Sequence, residues 1–376
     1  MAKELTSRER VLKALNFEEP DRVPIDVGAS RDSSLVKDEY DLLRKYLKLP
    51  PSDPPITSLM MRTVDVDEDV YEHFDIDFRG VYPGSPREVE WLDERTYRDE
   101  WNIVRVRPEG SYYFDLRESP LSGDITVKDI AKFDWPDPDA PAITAPLKKR
   151  VKEIREKADK AIVLALPAPI IHISQYLRGF EDWFMDCAAN VDLITALFDA
   201  VLEVNMQMAK NELEAVGQDV DIAICGDDMG TQGGLQFHPD FFKEHLKPRF
   251  KKYFDQVHTM APNIKMLFHS CGSIEPILDD LIEIGVDIIN PVQVTAKDMS
   301  SEHLSKKFGK RVCFWGAIDT QHVLPHETPE GVKKEVERRI NDFGRGGGYV
   351  VSAVHNIQPG VPPENIEAMF EHAKEY

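Results

Sequence analysis

The sequence predicts an α/β chain folded as a (β/α)8 TIM barrel with an insertion after the second strand, a doubly wound open sheet being the alternative. Three observations carry this reading. From residue 160 onward, short runs rich in Val, Ile and Leu alternate with longer amphipathic stretches, the pattern of parallel strands covered on both faces by crossover helices. Two earlier apolar runs bring the strand count to eight. Polar residues sit where five successive runs end, and in a barrel such ends converge on one mouth.

In chain order, "RVPIDVGA" (22–29) and "DIDFRGVYP" (75–83) read as the first two strands. The stretch 84–140 then breaks the rhythm: "WLDERTYRDEWNIVRVRPEGSYYFDL" alternates like antiparallel strands, and "KFDWPDPDAP" is a proline-rich connector. It is read as a β-rich insertion within one domain spanning 1–376. The remaining strands are "AIVLALPA" (161–168), "DIAICGDD" (221–228), "IKMLFHSCG" (264–272), "VDIINPVQ" (286–293), "RVCFWGAID" (311–319) and "GYVVSAVHN" (348–356). Between most of them lie helical patterns such as "VDLITALFDAVLEVNMQMAKNELEAV" and "EPILDDLIEIG", and "GFEDWFMD" (179–186) opens a packed helix. "GRGGGYV" opens no helix and is therefore a tight turn rather than a phosphate loop.

The composition bounds the function. A formal net charge of -21 argues against nucleic acid or an anionic membrane surface as partner. No apolar stretch approaches the roughly 20 residues of a membrane helix. The opening "MAKELTSRERVLKAL" lacks the apolar core of a signal peptide, so a cytoplasmic location is expected. The four cysteines, Cys187, Cys225, Cys271 and Cys313, are far apart and read as free thiols or ligands rather than a disulfide framework.

Asp227 and Asp228 end the fourth strand, His269 and Cys271 the fifth, Gln293 the sixth, Asp319 the seventh, and His355 with Asn356 the eighth. Imidazole and thiolate are typical zinc ligands. His269, Cys271 and His355 are therefore the expected metal ligands, against a core histidine beside a buried thiol. In "CGDDMGTQGG" neighbouring side chains on a strand point opposite ways, so one of Asp227 and Asp228 is expected to face the mouth and act in the chemistry, Asp228 being favoured; the alternative is a helix cap. Tyr82, Gln293 and Asn356 are expected to meet substrate. Trp315 and Phe268 are further aromatic candidates that would otherwise be core, and His172 reads as a structural histidine.

The segments "TSRERVLKALNFEEPDRVPI", "GDDMGTQGG", "HSCG" and "GGYVVSAVHNIQPGVPPENI" resemble the uroporphyrinogen decarboxylase superfamily along nearly the whole chain. The resemblance implies a (β/α)8 barrel and one of two chemistries. Decarboxylases carry an arginine-rich segment after the first strand; here "DVGASRDSSL" offers Arg31 alone, a poor match for a tetrapyrrole with many carboxylates. The cobalamin-dependent methyltransferases carry a His-x-Cys pair and a later cysteine on zinc, and His355 stands in the later cysteine's place. One thiolate fewer makes the stronger Lewis acid. The resemblance thus implies Zn2+, a corrinoid carried by a separate protein, and a small-molecule methyl donor of the methoxylated aromatic type. A thiol or amine methyltransferase, or a non-catalytic ligand-binding barrel, are the alternatives.

Overall fold

The computed structural model describes residues 5–376. Seven parallel strands run in sequential order around a curled sheet: Phe78–Val81, Ala161–Ala165, Ile222–Gly226, Lys265–His269, Ile288–Asn290, Cys313–Ile318 and Tyr349–Ala353. The expected first strand, 22–29, is reduced to one isolated bridge, Ile25 to Val351. Its hydrogen bonding explains the shortfall. Pro24 has no N–H to give and only accepts, from Val351, while the Ile25 amide is taken by the Asp77 side chain instead of a backbone carbonyl. The Asp77 amide still donates to the Ile25 carbonyl, so this short segment joins the two ends of the sheet and closes the ring.

Alternation along the strands makes two cores. Phe78, Val163, Ile222, Leu267, Ile288 and Trp315 pack inside the ring, and Ile162, Ala223, Phe268, Ile289 and Phe314 face the helices. The Ser7–Leu15 helix, begun by a Thr6–Glu9 capping box, sends Val11 and Leu15 into the inner cluster. It plugs the end opposite the mouth, where the Gly348 amide donates to Ala14. The glycines of "GRGGGYV" are a turn: Gly346, Gly347 and Gly348 all have positive φ, and the Tyr349 strand follows at once.

Phe268, a candidate for holding a ring, belongs to the outer core, packed against Phe250 and Phe254. Trp315 is buried in the inner core, tilted on Phe78 with its indole N–H donated to Asp26. Neither reaches the mouth. Within 84–140, the strands Glu90–Asp93, Thr96–Arg98, Val104–Val106 and Asp115–Glu118 form a separate antiparallel sheet in sequential order. It is tied to the barrel by the Phe114 amide on the Met60 carbonyl and by the Tyr113 hydroxyl on Asn356. Among the described residues, no helix is long and apolar enough to cross a membrane.

Candidate metal centre

His269 is the last residue of the Lys265–His269 strand, and Cys271 lies two residues beyond, in the loop that opens with it. Gly272, at φ +83°, turns that loop against the neighbouring one: an added Cβ would stand 2.4 Å from the Gly230 carbonyl carbon. The close approach needs glycine on both sides. His355 follows the Tyr349–Ala353 strand. Ligand atoms of His269, Cys271 and His355 all lie within 4.8 Å of one another, so the three residues named from sequence are brought together.

The fit to zinc can be tested on geometry and hydrogen bonding. Bonds of about 2.3 Å to sulfur and 2.0–2.1 Å to nitrogen give a tetrahedral S···N edge of about 3.6 Å. Cys271 Sγ stands 3.6 Å from His269 Nε2. Behind it, Asn290 Nδ2 donates to the Trp315 carbonyl, which aims Oδ1 at His269 Nδ1, 2.6 Å away. Nδ1 must then carry the proton and Nε2 the lone pair, the arrangement metal-bound imidazoles show. Around these donors stand carboxylates. Asp32 lies 3.7 Å from His269 Nδ1 and 3.9 Å from His355 Nε2, and Asp228 lies 3.9 Å from His269 Nε2. Burial pushes the Cys271 thiol well up, and the Asp228 and Asp32 charges push it further. A cation among the ligands would reverse that, converting thiol to thiolate. The donor set fits zinc.

Asp227 and Asp228 lie just beyond the Ile222–Gly226 strand and both approach the His172 ring, at 3.7 and 3.6 Å. Asp228 accepts the Cys271 amide at 2.7 Å and faces His172 at 3.6 Å. Burial would raise its carboxyl, yet the hydrogen bond and charge of His172 and the Cys271 amide hold it well below the usual carboxylate range. Asp227, the less favoured of the two candidates, is fully buried and accepts the Ile170 and His172 amides at the start of the Ile171–Arg178 helix. This helix precedes Asp227 in the chain, so it is not the following helix that the capping alternative pictured. Gln293 Oε1 is engaged by the Gly272 amide and braces the Cys271 loop. Asn356 is buried with Oδ1 on the Tyr113 hydroxyl and Nδ2 on Met61 Sδ, so it ties down the insertion. Asp319 holds the turn after its strand by accepting the Gln321 and His322 amides. Tyr82 stays at the mouth, its hydroxyl on the Gly28 carbonyl and the Arg31 guanidinium over its ring.

Sequence reasoning missed Asn290, Asp32 and Tyr113 and undervalued His172. Burial alone would lower the His172 pKa, but the hydrogen bond and charge of Asp228, with Tyr176 and Asp227, raise it to about 10. Asn290 ends a strand and was open to the same rule that picked Gln293. Tyr113 arrives on the insertion, whose docking no local pattern announces.

Comparison with known proteins gives the chain its relatives. Residues 118–376 match the family described as uroporphyrinogen decarboxylase (URO-D). The chain belongs to the uroporphyrinogen decarboxylase family. It is 25% identical over 233 residues to the methylcobamide:CoM methyltransferase MtaA of Methanosarcina barkeri, covering 60% of this chain and 62% of that protein. It is 25% identical over 274 residues to the uroporphyrinogen decarboxylase of Methylococcus capsulatus, covering 69% of this chain and 71% of that one. The chain thus spans less than two thirds of the methyltransferase's length. In structure it superposes on a methyltransferase from Methanosarcina mazei with a TM-score of 0.70 and 19% identity over 99% of both chains. At that identity the likeness is one of fold, and it confirms the URO-D-type barrel.

Proposed function

We propose that the protein is a cytoplasmic, zinc-dependent methyltransferase that moves a methyl group from a methoxylated aromatic to the Co(I) corrinoid of a separate protein. One observation carries the reading: a His269, Cys271 and His355 donor set, with a single sulfur, gathered at the barrel mouth. Likeness to MtaA, named as a methylcobamide:CoM methyltransferase, supports the methyltransferase side over the decarboxylase side, as does Arg31 standing alone where decarboxylases carry several arginines. Bound zinc would supply Lewis acidity towards the donor oxygen, and the corrinoid would supply the methyl acceptor.

The chain's own residues do the rest. Asn290 holds the proton on His269 Nδ1 and so presents Nε2. Asp228 fixes the Cys271 backbone and, with His172, keeps a charged pair beside the ligands. His172 lies against Asp228 and Asp227, whose charges raise its pKa against the effect of burial. Tyr82 offers an aromatic face at the mouth, and Tyr113, latched to Asn356, keeps the insertion against it.

The test is corrinoid methylation followed spectroscopically with guaiacol-like ethers, methanol, methylamines and methylthiols as competing donors. Ether turnover is expected. Reaction with thiols or amines alone would move the assignment to those donors, and no reaction with several corrinoid proteins would favour a non-catalytic barrel. His355→Cys should keep metal but lose rate about 5- to 30-fold, since a second thiolate weakens the Lewis acid.

A further inference from the structure

We propose that the insertion holds the metal centre closed: Tyr113 is a positioning residue that fixes His355 through Asn356, so that zinc retention depends on the insertion being docked. This rests on the zinc reading of His269, Cys271 and His355 given above, and on nothing about the methyl donor. The two histidines are held in different ways. His269 is braced on its ring, with Asn290 Oδ1 2.6 Å from Nδ1. Among the described residues the His355 ring makes no hydrogen bond; it meets the His269 ring edge-on at 5.6 Å, and Asp32 stands 3.9 Å from its Nε2. Its place is therefore set by the backbone that carries it.

That backbone is pinned from two sides. On the barrel side the Val354 amide donates to the Ile318 carbonyl, the Ile357 amide to the Ser34 carbonyl, and the Val36 amide to the Ile357 carbonyl. On the other side stands the insertion. The Tyr113 hydroxyl donates to Asn356 Oδ1 at 2.5 Å and accepts from Gln358 Nε2 at 2.7 Å, so one phenol grips the residue after His355 and the residue two further on. Burial pushes Tyr113 up to about 12, which keeps the hydroxyl a donor. A second contact reaches the other end of the ligand set. Arg105, paired with Asp99 inside the insertion at 3.0 Å, lies 4.3 Å from the Tyr176 ring centre. Tyr176 lies parallel to His172 at 6.0 Å, and His172 flanks Asp228, which accepts the Cys271 amide. The insertion thus touches the supports of His355 and of Cys271 together.

The experiment is zinc competition against a chromophoric chelator on the full chain, for wild type, Tyr113→Phe, Asn356→Ala and the double variant, with thermal unfolding of each zinc-free protein. Tyr113→Phe keeps the ring and removes one hydrogen bond, leaving Asn356 Oδ1 buried without its donor; zinc should bind about 3- to 10-fold more weakly. Asn356→Ala should lose at least as much. Adding Tyr113→Phe to it should change the affinity by less than about twofold, because the two residues act along one path. Zinc affinity in Tyr113→Phe within about twofold of wild type, even with a lowered unfolding midpoint, would reduce Tyr113 to a pin for the insertion and overturn the proposal. Losses that add in the double variant would overturn it as well. An affinity that follows Tyr113 in a protein that methylates no corrinoid would uphold the coupling while the methyltransferase reading falls. A wild type that takes up no zinc would overturn both.

Discussion

At His269 the question of which nitrogen meets a cation is settled one residue away. The Asn290 carboxamide is oriented by its bond to Trp315, and its oxygen in turn dictates the imidazole tautomer. Asn290→Ala should therefore leave all three ligands in place yet weaken zinc binding about 10- to 100-fold, as losses of such supporting partners do. Competition with a chromophoric chelator measures this, and unchanged affinity would remove Asn290 from the account. The grouping of His269, Cys271 and His355 was legible in the sequence because strand ends converge in a barrel. Asp227 and Asn356 were legible as polar strand-end residues but not in the hydrogen bonds they make. Whether such a side chain turns to the mouth or satisfies buried amides depends on neighbours from distant elements: Ile170 and His172 for one, Tyr113 for the other.

At the scale of elements, the centre depends on two loops packed backbone to backbone. A Cβ on Gly272 would meet Gly230 at 2.4 Å and the Thr231 amide at 2.6 Å, on a residue at φ +83°. Gly272→Ala should cost about 2 kcal/mol or more of stability, through backbone strain and the clash. It should also loosen zinc, because Cys271 and the amide that Gln293 holds lie in the same turn. Thermal unfolding with and without zinc reads both effects, and an unshifted midpoint would show that the loops separate freely. Strand positions were readable from continuous apolar runs. The exception is 22–29, whose pattern is strand-like but whose ladder is cut to one bridge by Pro24 and by the Asp77 carboxylate capturing the Ile25 amide. Such side-chain competition leaves no trace in periodicity.

For the whole molecule, closure of the ring places a carboxyl in the interior. Burial pushes Asp26 up to about 6 despite the bonds it accepts from the Ala29 amide and the Trp315 indole. Its unfolded value is about 3.9, so between those values the folded chain binds the extra proton and stability falls as pH rises. Asp26→Asn removes that slope. The stability of the variant relative to wild type should improve from pH 4 to pH 7 by on the order of 2 kcal/mol, read by denaturant unfolding; a pH-independent difference would show Asp26 to be ionised in the fold. The assembled barrel is what brings His355, at the last strand, to a pair from the middle of the sheet. X-ray absorption at the zinc edge of the loaded protein tests that assembly most directly. The account predicts one sulfur and two imidazole nitrogens with a light atom completing four-coordination, and loss of the sulfur shell in Cys271→Ala. A spectrum without sulfur, or one unchanged when Cys271 is replaced, would contradict it.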